Sequence, residues 1–233
     1  MSNCISKVIV ALDYSNAKSA LVFVDKLEPS LCRLKVGKEL FTREGPPIVS
    51  DLIRRGFDVF LDLKFHDIPN TVVRAVAAAA DMGVWMTNVH TLGGRRMMEA
   101  AREEIDRKGS KIILLGVTIL TSIEQSDLCE VGMQKSLMAQ VRNLSAAAEI
   151  SGLHGVVCSA MEGPVLRNER KDDFVLVTPG IRLSNSPKDD QRRVVTPIDA
   201  IKSGSDFIVI GRPVTQSATP AATLREIVQS IAY

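Results

Sequence analysis

The sequence predicts an α/β fold, a (β/α)8 barrel of the TIM type, and three observations carry that expectation. Eight short β-branched runs recur along the chain, helical patterns lie between them, and 233 residues allow about 29 per βα unit. Strands joined through helices pair in parallel by right-handed crossovers. The first run, Lys7–Leu12, leads to a helical pattern over Ser15–Leu27, with a Ser cap and Ala20, Val22, Phe23 and Leu27 near one stripe. Arg33–Val36 and Asp58–Leu63 are the second and third strands. An alanine-rich helix over Asn70–Met82 follows, with Pro69 at its start and Gly83 beyond its end. Trp85–Val89 and Lys111–Thr118 come next, then an amphipathic helix over Lys135–Ile150 closed by Gly152. Gly155–Cys158, Phe174–Val177 and Asp206–Ile210 complete the strands, and Pro220–Ile231 ends the chain as a helix. A doubly wound open sheet is the competing architecture. Against it, Asp13-Tyr14-Ser15 follows the first strand where a G-x-G-x-x-G turn would stand. No break in composition divides the chain, so residues 1–233 are expected to form one domain.

Composition narrows the function. With 45% hydrophobic and 24% charged residues the chain has the make-up of a globular protein, which excludes disorder. Apolar runs such as Ala75–Ala80 fall far short of the ~18 residues of a membrane span. The net charge is +2 with the two signs interspersed. That is no footprint for nucleic acid or an anionic membrane, and it leaves room for a local anion pocket. No signal-peptide pattern fits the N-terminus. Cys4, Cys32, Cys129 and Cys158 lie far apart and read as reduced, mostly buried thiols of a cytoplasmic protein. His66, His90 and His154 are equally scattered, without the spacing of a metal site.

In such a barrel, chemistry collects at the C-terminal ends of the strands. Those ends carry Asp13, Lys35, the Asp62/Lys64 pair, His90, Thr118–Thr121, Ser159, Thr178-Pro179-Gly180 and Gly211-Arg212. Asp62 and Lys64 are two apart and share one face of their strand. Burying two charges is costly unless they are paired and used. An ion pair at the strand rim is the bland alternative, weakened by Lys35 and Asp67 nearby. Strand eight runs into Gly211-Arg212-Pro213, and strand seven into Thr178-Pro179-Gly180-Ile181-Arg182 and the polar stretch Leu183–Arg193. Loops after strands seven and eight are the usual phosphate grip of this fold. A merely solvated charged loop is the alternative there. His66 and His90 read as hydrogen-bonded structural or rim histidines, and Trp85 and the methionines as packing.

Asp62-Leu63-Lys64-Phe65-His66-Asp67-Ile68-Pro69-Asn70-Thr71 resembles the signature of the orotidine 5'-monophosphate decarboxylase family. Ile9–Asp13, Leu34–Phe41, Val177–Arg182, Asp190-Gln191-Arg192 and Ile208–Thr215 resemble further segments of that family, in its order and in the form typical of its bacterial members. D-x-K-x-x-D alone is shared with barrels acting on sugar phosphates; the H-D-I-P-N-T continuation is not typical of those. The resemblance implies conversion of orotidine 5'-monophosphate to UMP and CO2 in pyrimidine biosynthesis. It implies Lys64 as the acid that protonates C6, Asp62 against the substrate carboxylate, Lys35 linking Asp62 to the ribose side, and Asp13 on a ribose hydroxyl. Asp67 and Thr71 would reach the neighbouring subunit's site, which implies a homodimer. Thr121 would belong to a loop closing near the base. Arg182, Gln191, Gly211 and Arg212 would surround the phosphate.

The chemistry suits such a set. Loss of CO2 from C6 leaves an electron pair in the ring plane, poorly delocalised by the π system. The sequence suggests no metal, thiamine or pyridoxal sink, so preorganised charges are expected to do the stabilising, with no cofactor. An ammonium held by two carboxylates stays charged, stays placed, and can give its proton. Two other functions remain open on the residues: a Mg2+-dependent sugar-phosphate decarboxylase or lyase of the same barrel group, and a non-catalytic nucleotide-binding barrel.

Overall fold

The computed structural model describes residues 6–183 and 195–232. Its strands are β1 (Val8–Leu12), β2 (Arg33–Gly37), β3 (Val59–Phe65), β4 (Met86–His90), β5 (Ile113–Val117), β6 (Gly155–Val157), β7 (Val175–Thr178) and β8 (Phe207–Ile210). They pair in parallel in sequence order, and β8 returns to β1 to close the barrel. Closure settles the choice of architecture: an open sheet would leave β1 and β8 as edges. Each run read from the sequence is a strand, shifted by one or two residues at its ends.

Helices cover the outside. α1 (Ala17–Val24) follows β1, α2 (Lys38–Glu44) and α3 (Pro46–Arg54) follow β2, and α4 (Pro69–Asp81) follows β3. α5 (Arg95–Arg107) follows β4, α6 (Gln125–Glu130) and α7 (Leu137–Ile150) follow β5, and α8 (Gly163–Glu169) follows β6. α9 (Pro197–Lys202) precedes β8, and α10 (Arg212–Thr215) and α11 (Pro220–Ser230) follow it. Pro69 opens α4 and Gly83 stands beyond its end at φ +77°, a conformation that side chains disfavour. Two starts differ from expectation. Asn16, not Ser15, caps α1, accepting from the Ser19 N–H at 2.9 Å. α7 begins at Leu137 rather than Lys135, because Ser136 caps it by accepting from the Ala139 N–H.

Two apolar layers result. Ile9, Ala11, Phe60, Met86, Leu115, Val177 and Val209 fill the barrel interior, and the larger layer lies between strands and helices. At the bottom, the Arg33 guanidinium lies 4.4 Å from the Trp85 ring centre and 5.1 Å from that of Phe207, with Asp58 at 3.3 Å. This paired, stacked cation closes the floor of the barrel. Polar side chains gather at the opposite end. Cys32 and Cys158 are buried as expected, while Cys129 on α6 is exposed; Cys4 lies outside the described residues.

Candidate active site

β3 carries the centre of the site. Phe60 points into the barrel, so Asp62 does too, one layer nearer the mouth. Simple alternation does not continue to Lys64. The register jumps from Leu61 opposite Thr87 to Phe65 opposite Val89, and Lys64 sits in the bulge at φ +53°. Among the described residues it is the sole non-glycine with positive φ, at a cost of about 1–3 kcal/mol. The bulge turns Lys64 back over Asp62.

The charges then alternate. Lys64 Nζ donates to Asp62 Oδ1 at 2.7 Å; Asp62 Oδ2 lies 3.4 Å from Lys35 Nζ, which is 3.5 Å from Asp13 Oδ1. Burial by itself would push the Asp62 carboxyl up. The Lys35 and Lys64 ammonium groups, with hydrogen bonds from Lys64 and Asn88, outweigh it and hold Asp62 below the usual carboxylate range. Burial likewise presses Lys35 down, yet attraction and hydrogen bonds to Asp62 and Asp13 hold it above its ordinary value. Both groups are therefore ionised at neutral pH. Gly37, ending β2, makes room for this chain: a Cβ there would stand 3.3 Å from Lys35 Nζ.

These four residues floor a cavity of about 290 Å3 at the barrel mouth. Arg182, Gly211 and Arg212 line it from the β7 and β8 side, and Thr121 from the loop after β5. Ile119, Val157 and Pro179 give it an apolar wall. A charged floor, an apolar wall and two guanidinium groups suit a phosphorylated small-molecule ligand.

Asp67 and Thr71 are not brought in. Both are exposed and line none of this cavity, and Asp67 Oδ1 accepts from its neighbour's N–H, that of Ile68, at 2.7 Å. Gln191 lies outside the described residues. Ser159 is buried beneath the rim, its N–H given to the Glu162 carboxylate, and does not line the cavity.

The two histidines differ from expectation. His90 is half-buried, and its Nδ1 has no hydrogen-bond partner among the described residues, so it is not the satisfied rim histidine the sequence suggests. His66 is exposed; its ring packs against His90 with centres 5.6 Å apart, because β3 ends at Phe65 and releases it to the surface.

Asn88 is the residue that sequence reasoning misses. Fully buried on β4, it donates from Nδ2 to Asp62 Oδ1 at 2.7 Å and accepts the Lys64 N–H on Oδ1 at 2.8 Å. An amide in the middle of the run Met86–His90 is the signal that could have found it, since asparagine is depleted in strands.

A closed eight-stranded parallel barrel with an ammonium–carboxylate chain and an anion-binding rim defines a barrel enzyme acting on a phosphorylated small molecule. Residues 6–227 match the Orotidine 5'-phosphate decarboxylase / HUMPS family, and the chain belongs to that family. It is 57% identical over 227 residues to an orotidine 5'-phosphate decarboxylase of Vibrio campbellii, covering 97% of each chain. It is also 57% identical over 221 residues to one of Neisseria meningitidis, covering 94% of this chain and 90% of that relative. The crystal structure of orotidine 5'-phosphate decarboxylase from Lactobacillus acidophilus superposes with a TM-score of 0.88 at 37% identity, over 98% of this chain and all of that one.

Proposed function

We propose that the chain is a carboxy-lyase that converts orotidine 5'-monophosphate to UMP and CO2 in pyrimidine biosynthesis. The observation that carries this is the Lys64–Asp62–Lys35–Asp13 chain at the floor of the cavity, in a protein so close to decarboxylases of that substrate. The Mg2+-dependent sugar-phosphate enzyme and the non-catalytic barrel are not favoured at this identity.

The substrate phosphate sits against Arg182 and Arg212, with Gly211 beside it, and Asp13 takes a ribose hydroxyl; the family resemblance alone adds Gln191 to the phosphate-binding set. Thr121 closes near the base. In the proposed complex the pyrimidine C6 lies over Lys64, with its carboxylate towards Asp62. The C6–carboxylate bond breaks, CO2 leaves, and the electron pair remains on C6. Lys64 Nζ gives C6 a proton and becomes a neutral amine, to be reprotonated from solvent. Lys35 and Lys64 offer fixed positive charge as negative charge develops at C6, which lowers the barrier. The ionised Asp62 also opposes the substrate carboxylate, raising the ground state that CO2 loss relieves.

Within one chain the Lys64 ammonium has Asp62 as its carboxylate partner, and Asp67 is turned outward beside Ile68, which is 67% exposed. That supports a homodimer in which Asp67 and Thr71 complete the neighbouring site. The cytoplasm is the proposed location; among the described residues, no helix is long and apolar enough to cross a membrane.

A steady-state assay with orotidine 5'-monophosphate tests the activity directly. Lys64→Ala should lower kcat by at least about 10²–10⁴-fold, the usual contribution of a general acid, while UMP still binds. Retention of more than about a tenth of kcat would overturn the role given to Lys64.

A further inference from the structure

We infer that Asn88 is a positioning residue for the proton donor, setting both the backbone of Lys64 and the carboxylate that holds its ammonium. The inference rests on the role proposed for Lys64.

Between the pairs Leu61/Thr87 and Phe65/Val89, three residues of β3 stand against one of β4. Asn88 is that one and replaces the missing ladder partner. Its Oδ1 accepts the Lys64 N–H at 2.8 Å, while Nδ2 donates at 2.7 Å to Asp62 Oδ1, the oxygen that also accepts from Lys64 Nζ. One planar amide thus fixes the start of the Lys64 side chain and the anchor at its end. The amide orientation follows from its partners, since a backbone N–H only donates and an ionised carboxylate only accepts. A buried amide is costly unless both ends are satisfied, and both ends here are spent on β3. Aspartate would set an oxygen against Asp62 Oδ1; alanine would leave Asp62 and the Lys64 N–H each short of a partner. Either change frees the ammonium to move, and a displacement of about 1 Å costs about 10²-fold in rate.

Asn88→Ala and Asn88→Asp test this, assayed for turnover and for UMP binding. Both should lose about 10²-fold in kcat at neutral pH, with KM and UMP affinity changed only a few-fold, because Asn88 lies away from Arg182 and Arg212. Asn88→Asp carries a second signature. The groups facing position 88 are Asp62 and Lys64 on β3, Lys35 on β2, His90 on its own strand and, beyond β3, His66; β5 presents Leu115. Two carboxylates sharing a site hold a proton above the usual range. Once protonated, the new carboxyl donates to Asp62 and accepts from Lys64 as the amide does. Its kcat relative to wild type should therefore recover as the pH falls from about 8 to about 5.5. Loss of turnover together with UMP binding, without recovery in acid, would mean a damaged barrel and would overturn the inference. So would variants that keep kcat within a few-fold of wild type across the range. Lys64→Ala run in parallel separates the two proposals: if it stays active, the donor assignment fails and this inference with it. If it is dead while the Asn88 variants are active, this inference alone fails.

Discussion

Burial holds the His90 ring at a pKa of about 4, and the positive charges of His66, Lys38 and Lys64 press the same way against the pull of Asp62. The folded protein therefore keeps this ring neutral where the unfolded chain takes up a proton near pH 6.5. Its contribution to stability is full above that pH and drains away as the pH falls from about 6.5 towards 4. His154, half-buried beside Arg102 and accepting the Leu114 N–H, is depressed as well and loses stability in acid alongside it. Comparing wild type with His90→Gln isolates one of the two. Thermal melts across this range should show the melting-temperature difference between the two proteins shrinking steadily in acid, and a constant difference would refute the depressed pKa. At this scale the sequence is legible where charge is conspicuous: Asp62, Lys64, Lys35 and Asp13 stand at predicted strand ends and do meet. Asn88 is opaque because one amide in an apolar run has no partner visible until β3 and β4 are in register. His90 misleads because a ring nitrogen's partner depends on which neighbours fail to reach it.

Elements repeat the lesson with different causes. The eight strands and α4 are plain in the sequence because β-branched runs, Pro69 and Gly83 each act locally. α5 is less visible: Met97, Met98, Ala101 and Ile105 form its buried stripe, but charged residues crowd the rest of its turns. The β3 bulge is invisible, since Lys64 carries no glycine-like mark of a positive φ and strict alternation already pairs it with Asp62. The segment after β8 is the element whose chemistry the sequence marks most directly. Gly211 and Arg212 both line the cavity, beside Asp13 at its floor. Arg212→Ala should therefore raise KM for orotidine 5'-monophosphate strongly. Orotidine, which lacks the phosphate, should show no such sensitivity. Measuring kcat/KM on both substrates checks this, and equal losses would place Arg212 outside the phosphate site. Phosphate contacts remote from C6 matter to rate because their binding energy can hold the pyrimidine against the charged floor.

At the scale of the whole molecule, barrel closure gathers Asp13, Lys35, Asp62 and Lys64 from three consecutive strands and their ends, but leaves Asp67 facing away from them. The proposed dimer makes that placement testable by mixing. Lys64→Ala and Asp67→Ala should each be inactive as homodimers, the first lacking its donor and the second the carboxylate lent across the interface. If subunits of the two variants exchange to equilibrium in equal amounts, a two-fold dimer yields about half heterodimers. Each heterodimer then holds one site with both defects and one with neither. About a quarter of all sites become wild type, and activity should rise from near zero to about that fraction. Were Asp67 to serve its own chain's site, every site would keep one defect and mixing would restore nothing. Subunit exchange, followed separately by mass-tagging one variant, ensures that a null result speaks to Asp67 and not to a dimer that fails to dissociate.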